Sequence, residues 1–138
     1  MQFITKNEKD TANLGNSFGE KCKGGEIFLL SGDLGAGKTQ FTKGLANGLE
    51  ISDDITSPTF TYEKIYSGRD NLTLYHFDLY REILLDQDIK LLLDEAFSDP
   101  KGVTAVEWSE RGEGNWPKRA KRVELKWISE KEREITVE

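Results

Sequence analysis

An α/β fold, with helices covering a largely buried sheet that antiparallel strands extend, is predicted by three observations. The run Ile27-Phe28-Leu29-Leu30 is apolar without alternation, as in a strand buried on both faces. It leads directly into the glycine-rich segment Gly32-Asp33-Leu34-Gly35-Ala36-Gly37-Lys38-Thr39. Beyond it, Phe41, Leu45 and Leu49 recur at four-residue steps, the spacing of one helical face.

The remaining elements follow in order. Phe3 and Ile4 form a short extended start. Over residues 7–22, Leu14, Phe18 and Cys22 share one face of a helix, which Gly24-Gly25 ends. The helix after the glycine loop carries Gly44 and Gly48, each weakening it by about 1 kcal/mol relative to alanine. Residues 52–58 are polar and turn-prone. Residues 60–66 and 72–78, rich in aromatic and branched side chains, pair as a hairpin around Ser67-Gly68-Arg69-Asp70-Asn71. Ile89, Leu92, Leu93, Ala96 and Phe97 mark another helix, capped by Asp86 or Asp88 and stopped before Pro100. Residues 103–108 form an apolar strand, and Val123-Leu125-Trp127 pairs with Ile135-Val137 in a half-exposed hairpin around residues 129–132.

Composition narrows the class. A chain of 138 residues holds one domain with a core of its own, and apolar residues (aromatic, aliphatic, Met and Cys) at 36% with 32% charged residues suit a soluble globular protein. No run approaches the ~18 apolar residues of a membrane span, and the first residues lack a secretory layout, so a cytoplasmic location is expected. Cys22 is the single cysteine, which excludes an internal disulfide and a multi-cysteine zinc site. The net charge of −6 repels polyanions at long range, so autonomous tight binding of nucleic acid is not expected. The basic run Lys118-Arg119-Ala120-Lys121-Arg122 reads first as a solvated face.

Gly32, Gly37, Lys38 and Thr39 meet the pattern Gly-x4-Gly-Lys-Thr, with the strand before it and the helix after it that a phosphate loop requires. The expected fold is therefore a single-domain P-loop NTPase-like sheet. Glycines let backbone N–H groups turn around a phosphate, and the following helix adds its partial positive charge. Lys38 is expected on the β- and γ-phosphates and the Thr39 hydroxyl on Mg²⁺. Magnesium prefers few, hard oxygen ligands, and Glu107 and Asp78 each close an apolar strand as candidates for that role. His76 shares a strand face with Asp78, although a lone histidine is more often a satisfied structural group. Thr59, in Ser57-Pro58-Thr59, occupies the chain position of a γ-phosphate-sensing switch threonine, and an ordinary proline-containing turn accounts for the segment equally well. An Asn-Lys-x-Asp guanine-reading element and a Leu-Ser-Gly-Gly transporter signature are both absent, which favours ATP.

Four blocks in order, Gly32 to Thr39, Ser57-Pro58-Thr59-Phe60, Tyr75-His76-Phe77-Asp78-Leu79-Tyr80-Arg81 and Val106-Glu107-Trp108, resemble the TsaE (YjeE) family. The resemblance spans almost the whole chain and implies an ATPase subunit of the bacterial machinery that places threonylcarbamoyl on the adenosine beside the tRNA anticodon. It implies TsaB and TsaD as partners that own the transfer chemistry, with tRNA met only through the complex, and ATP (ADP) with Mg²⁺ at the site. By it, Thr39 and Glu107 hold Mg²⁺, Asp78 assists near the attacking water, Thr59 sits in a switch loop and Trp108 packs beside the nucleotide. Glu8 and Thr11 would border the adenine and Arg133 would approach the nucleotide. Hydrolysis by the isolated chain would be slow. The rival reading is a small-metabolite kinase with a shikimate-kinase-like phosphate loop, which would leave the 75–81 and 107–108 blocks without a role.

Overall fold

The structure is a computed structural model describing residues 1–56, 58, 62–81 and 86–138. Its elements are β1 (Gln2–Thr5), α1 (Glu8–Glu20), β2 (Ile27–Ser31), α2 (Lys38–Gly48), β3 (Glu63–Ser67), β4 (Thr73–Asp78), α3 (Gln87–Ser98), β5 (Gly102–Glu107), β6 (Lys121–Trp127) and β7 (Arg133–Val137). Short 3-10 turns occupy Arg69–Asn71 and Ser109–Gly112. The seven strands form one sheet in the order β1-β7-β6-β2-β5-β4-β3. Its middle, β6-β2-β5-β4, is parallel, and β3, β7 and β1 add antiparallel edges.

The unbroken apolar run of β2 is explained by layers on both sides of the sheet. Phe28 and Leu30 face one core with Phe41 and Leu45 of α2, while Ile27 and Leu29 face the other with Ile89 and Leu93 of α3. Each such side chain taken from water contributes roughly 1.5–3 kcal/mol. Strand β5 is buried along its whole length, from Gly102 to Glu107, so its terminal carboxylate ends inside the protein. A chain of aromatic rings, Phe3 to Phe18 at 6.5 Å, Phe18 to Phe28 at 6.1 Å and Phe28 to Phe41 at 6.4 Å, ties β1 and α1 to the sheet and α2.

Helix starts follow local chemistry. Asn7 caps α1 by accepting from the Asp10 N–H at 2.8 Å, and Asp86, of the two candidates, caps α3 by accepting from Ile89 N–H at 2.8 Å. Arg69 finishes two helices at once, donating to the carbonyls of Gly48 at 3.2 Å, Gly19 at 2.9 Å and Glu20 at 2.8 Å.

Three boundaries differ from the sequence reading. α1 ends at Glu20, so Cys22 is buried beyond the helix rather than on its face. Tyr62 has φ +60°, which interrupts extended backbone, and pairing of β3 begins at Glu63. Trp108 has φ +59°, so β5 stops at Glu107 and the indole turns out of the strand. Among the described residues no helix is long and apolar enough to cross a membrane.

Candidate functional site

The glycine loop joins the C-terminal end of β2 to the N-terminus of α2, at the edge where the parallel strands β4 and β5 also end. Open α/β sheets bind ligands at this end of their strands. Gly32 sits against β6 with φ +149°, and a Cβ there would lie 2.4 Å from the Leu125 carbonyl oxygen. Gly37 caps α2 in the left-handed region at φ +104° and makes no side-chain cap hydrogen bond, which leaves the first-turn amides of α2 to an external acceptor. Leu34 is exposed at the loop tip, Ala36 is buried, and the Asp33 carbonyl accepts from the Ala36 N–H at 3.0 Å.

Lys38 is folded back over the loop. Its Nζ donates to the carbonyls of Gly32 at 2.5 Å and Asp33 at 3.0 Å and lies 3.8 Å from the centre of the Trp108 ring. Burial lowers its pKa, opposed by the carboxylates of Glu110, Glu107, Asp78 and Asp33. An ammonium held by carbonyl dipoles and a ring face is ready for an anion that approaches the loop.

Beside it stands an acidic edge. The Thr39 hydroxyl donates to Glu107 Oε1 at 2.9 Å, and the other carboxylate oxygen faces His76 Nε2 at 2.5 Å. Glu107 and His76 are both buried. Asp78, register partner of Glu107 on β4, accepts from the Tyr80 N–H at 2.9 Å. Burial raises the Asp78 pKa above its ordinary 3.8, and the Glu107 carboxylate raises it further, opposed by the Tyr80 amide, His76 and Lys38.

A carboxyl with a raised folded-state pKa binds its proton more tightly when folded. Its linked stability is therefore complete below 3.8 and lost as pH rises through the raised value. Asp78→Asn removes that titration, and thermal unfolding is expected to show the variant melting a few degrees above the wild type near about pH 7, with the gap closing at about pH 4. A variant less stable than the wild type near neutrality would contradict this.

Two clefts open side by side over the loop and share Glu8, Gly35, Gly37 and Gln40. The first, about 320 Å³, is lined by Lys38, Thr39, Asp78, Glu107, Tyr80 and Trp108. The second, about 460 Å³, is lined by Asn7, Lys9, Thr11, Glu130, Lys131 and Arg133. The two clefts thus bring together the described candidates from the sequence except Gly32 and Asp33, which line neither and instead present their carbonyls to Lys38. Thr11 contributes its methyl towards Gly37, because its hydroxyl is engaged with that of Thr5 at 2.8 Å. Arg133 donates to the Gly35 carbonyl at 2.9 Å and to the Ser129 carbonyl at 2.7 Å, so it braces the loop from the β6–β7 turn. Thr59 lies outside the described residues.

Sequence reasoning missed three contributors. Tyr80 packs 4.9 Å from the Trp108 ring, and its position in the 75–81 block was the available signal. Glu110 accepts from the Gly32 N–H at 3.2 Å across the sheet, and nothing in the sequence marks it. Thr42 lies one turn after Lys38 and donates to the Lys38 carbonyl at 3.0 Å beside Glu107.

A magnesium ion fits this arrangement. Among the described residues no group of three or more His, Cys, Asp or Glu side chains forms a metal cage. Mg²⁺ on a nucleotide needs none, since one or two protein oxygens suffice alongside phosphate and water. The Thr39 hydroxyl and the Glu107 carboxylate, 2.9 Å apart at the loop, supply such a pair.

Comparison with known proteins agrees in extent and shape. The family model described as threonylcarbamoyl adenosine biosynthesis protein TsaE matches residues 5–135. A Treponema pallidum (strain Nichols) relative, named tRNA threonylcarbamoyladenosine biosynthesis protein TsaE, is 40% identical, covering 99% of both chains. One of the same name from Bacillus subtilis (strain 168) is also 40% identical, over 99% of this chain and 84% of the relative. The crystal structure of Bacillus subtilis YdiB superposes with a TM-score of 0.78 at 37% identity, covering 99% of this chain and 83% of that one.

Proposed function

The chain belongs to the TsaE family, and from that membership and the groove over its glycine loop we propose that it binds and hydrolyses Mg²⁺-ATP in support of tRNA threonylcarbamoyladenosine biosynthesis. The observation that carries the nucleotide reading is the convergence of Lys38, Thr39, Glu107 and Asp78 on one cleft at the N-terminus of α2, where Gly37 offers no side-chain cap.

In this reading the loop amides and Lys38 hold the phosphates, and Lys38 exchanges its carbonyl partners for phosphate oxygens. Thr39 and Glu107 would hold Mg²⁺, which would supply charge neutralisation at the phosphates. Asp78 orients water for attack on the γ-phosphorus. As the water oxygen bonds to phosphorus, the bond to the ADP oxygen breaks, and the water's proton passes to solvent or to the Asp78 carboxylate. A carboxylate whose pKa is raised by burial suits that role. The second cleft, between α1 and the β6–β7 turn, takes the base and ribose.

TsaB and TsaD are the proposed partners, and the transfer of threonylcarbamoyl to adenosine belongs to them. The test is Mg²⁺-ATP hydrolysis by the chain alone and with purified TsaB and TsaD, with Lys38→Ala as the blank. Slow basal hydrolysis that TsaB and TsaD accelerate is expected. Hydrolysis indifferent to both partners, or phosphate transfer to a small metabolite, would remove the tRNA reading.

A further inference from the structure

Resting on the nucleotide reading above, we infer that His76 is a positioning residue for Glu107, its Nε2–H fixing one carboxylate oxygen so that the other stays at Thr39 for the metal. His76 lies one strand repeat behind Asp78 on β4, opposite Ala105 of β5, and reaches the Glu107 side chain within the sheet. Both residues are buried, His76 at 0% and Glu107 at 2% exposure, although Glu107 borders the cleft. The contact is short, 2.5 Å from Nε2 to Oε2, and Oε1 is left to the Thr39 hydroxyl at 2.9 Å. Thr42 lies 3.5 Å from Oε2 and gives its better bond to the Lys38 carbonyl, so the imidazole is the closer restraint on that oxygen.

The other ring nitrogen identifies what the histidine is for. Nδ1 is buried without a hydrogen-bond partner among the described residues. A ring kept for packing alone would be better served by an apolar side chain, because an orphaned buried polar atom carries its desolvation cost uncompensated. The orphan also assigns the tautomer: with nothing to accept from Nδ1–H, the proton belongs on Nε2, where it is donated to Glu107. Glutamate has three side-chain torsions, and a carboxylate bonded at one oxygen cannot turn away from the loop. This is the arrangement by which an outer partner orients a metal-binding carboxylate, and losing such partners typically costs about 10–100-fold in metal affinity or activity.

The geometry dictates the variants. A glutamine amide nitrogen stands as many bonds from Cβ as Nε2 and can donate to Glu107, whereas an asparagine amide nitrogen falls where Nδ1 is. ATP binding is titrated calorimetrically with and without Mg²⁺, alongside the Mg²⁺ concentration for half-maximal hydrolysis and a thermal unfolding curve. His76→Gln is expected to stay within about threefold of the wild type, while His76→Asn needs about tenfold more Mg²⁺ with little change in metal-free ATP affinity. His76→Phe keeps a ring, drops the donor and serves if the asparagine variant is too unstable; it is expected to lose the same tenfold. A wild-type Mg²⁺ response in His76→Asn or His76→Phe, or equal impairment of His76→Gln and His76→Asn, would overturn the inference while leaving ATP binding intact. A wild-type chain without any Mg²⁺-dependent ATP affinity would instead bring down the nucleotide reading itself, and this inference with it.

Discussion

Glu107→Gln is expected to retain ATP binding and lose hydrolysis by on the order of 10²-fold in kcat, with a weakened response to Mg²⁺. The substitution keeps the shape of a side chain that is buried at the end of β5 and touches both Thr39 and His76. It removes the negative charge that a bound divalent cation would need, while a glutamine oxygen can still accept from the Thr39 hydroxyl and the backbone of the loop is unchanged. Steady-state hydrolysis together with calorimetric titration of ATP separates the two effects. Hydrolysis within twofold of the wild type would show that Glu107 is not part of the metal site. Loss of metal-free ATP binding would show that it acts on the fold of the loop instead.

Gly44→Ala carries the second large effect, and its sign opposes helix propensity. Propensity alone predicts a gain of about 1 kcal/mol from replacing an interior helical glycine by alanine. In the structure, however, α1 and α2 approach so closely that a Cβ on Gly44 would stand 1.9 Å from the Ala12 carbonyl oxygen. The partner is backbone in the middle of α1, so a side-chain rotation cannot relieve the contact and the helices must part. A Cβ on Gly48 would likewise stand 2.5 Å from the Asn16 carbonyl oxygen, and from α1 a Cβ on Gly15 or Gly19 would stand 2.2 or 2.4 Å from the carbonyl oxygen of Phe41 or Leu45. Overpacking of a close interface costs typically about 1–3 kcal/mol, and here it acts against the helix that presents Lys38 and Thr39. Thermal unfolding is expected to show a fall in Tm of roughly 5 °C or more. A rise in Tm would mean that the two helices are not held at this distance.

These glycines also show where a single sequence stops being informative. Phe41, Leu45 and Leu49 announced α2 correctly because large apolar side chains at four-residue steps are visible, and all three are fully buried. Gly44 and Gly48 read as weaknesses because a missing side chain leaves no mark of what approaches it. The same effect displaced the buried face of α1, which is Thr11, Gly15 and Gly19, with Leu14 and Phe18 only partly buried beside it. Matching four-residue glycine steps at 15 and 19 and at 44 and 48 were the available signal.

The site was legible as far as it lay along the chain. The loop, the carboxylate closing β5 and the carboxylate closing β4 each stand at the end of a local pattern, and they converge because β2, β5 and β4 run parallel side by side. Strand order was not legible, since β6 lies against β2 although nearly ninety residues separate them, and only hydrogen-bond register places it there. For the same reason the His76 contact with Glu107 and the Glu110 contact with Gly32 could not be anticipated: both depend on which strands and turns become neighbours across the sheet.

The central claim is that the groove over the glycine loop is an ATP site, and calorimetric titration of ATP into the chain in the presence of Mg²⁺, with Lys38→Ala in parallel, tests it most directly. One ATP bound per chain, with affinity that depends on Mg²⁺ and collapses in Lys38→Ala, is the predicted result. No heat of binding in the wild type, or binding that Lys38→Ala leaves unchanged, would contradict it.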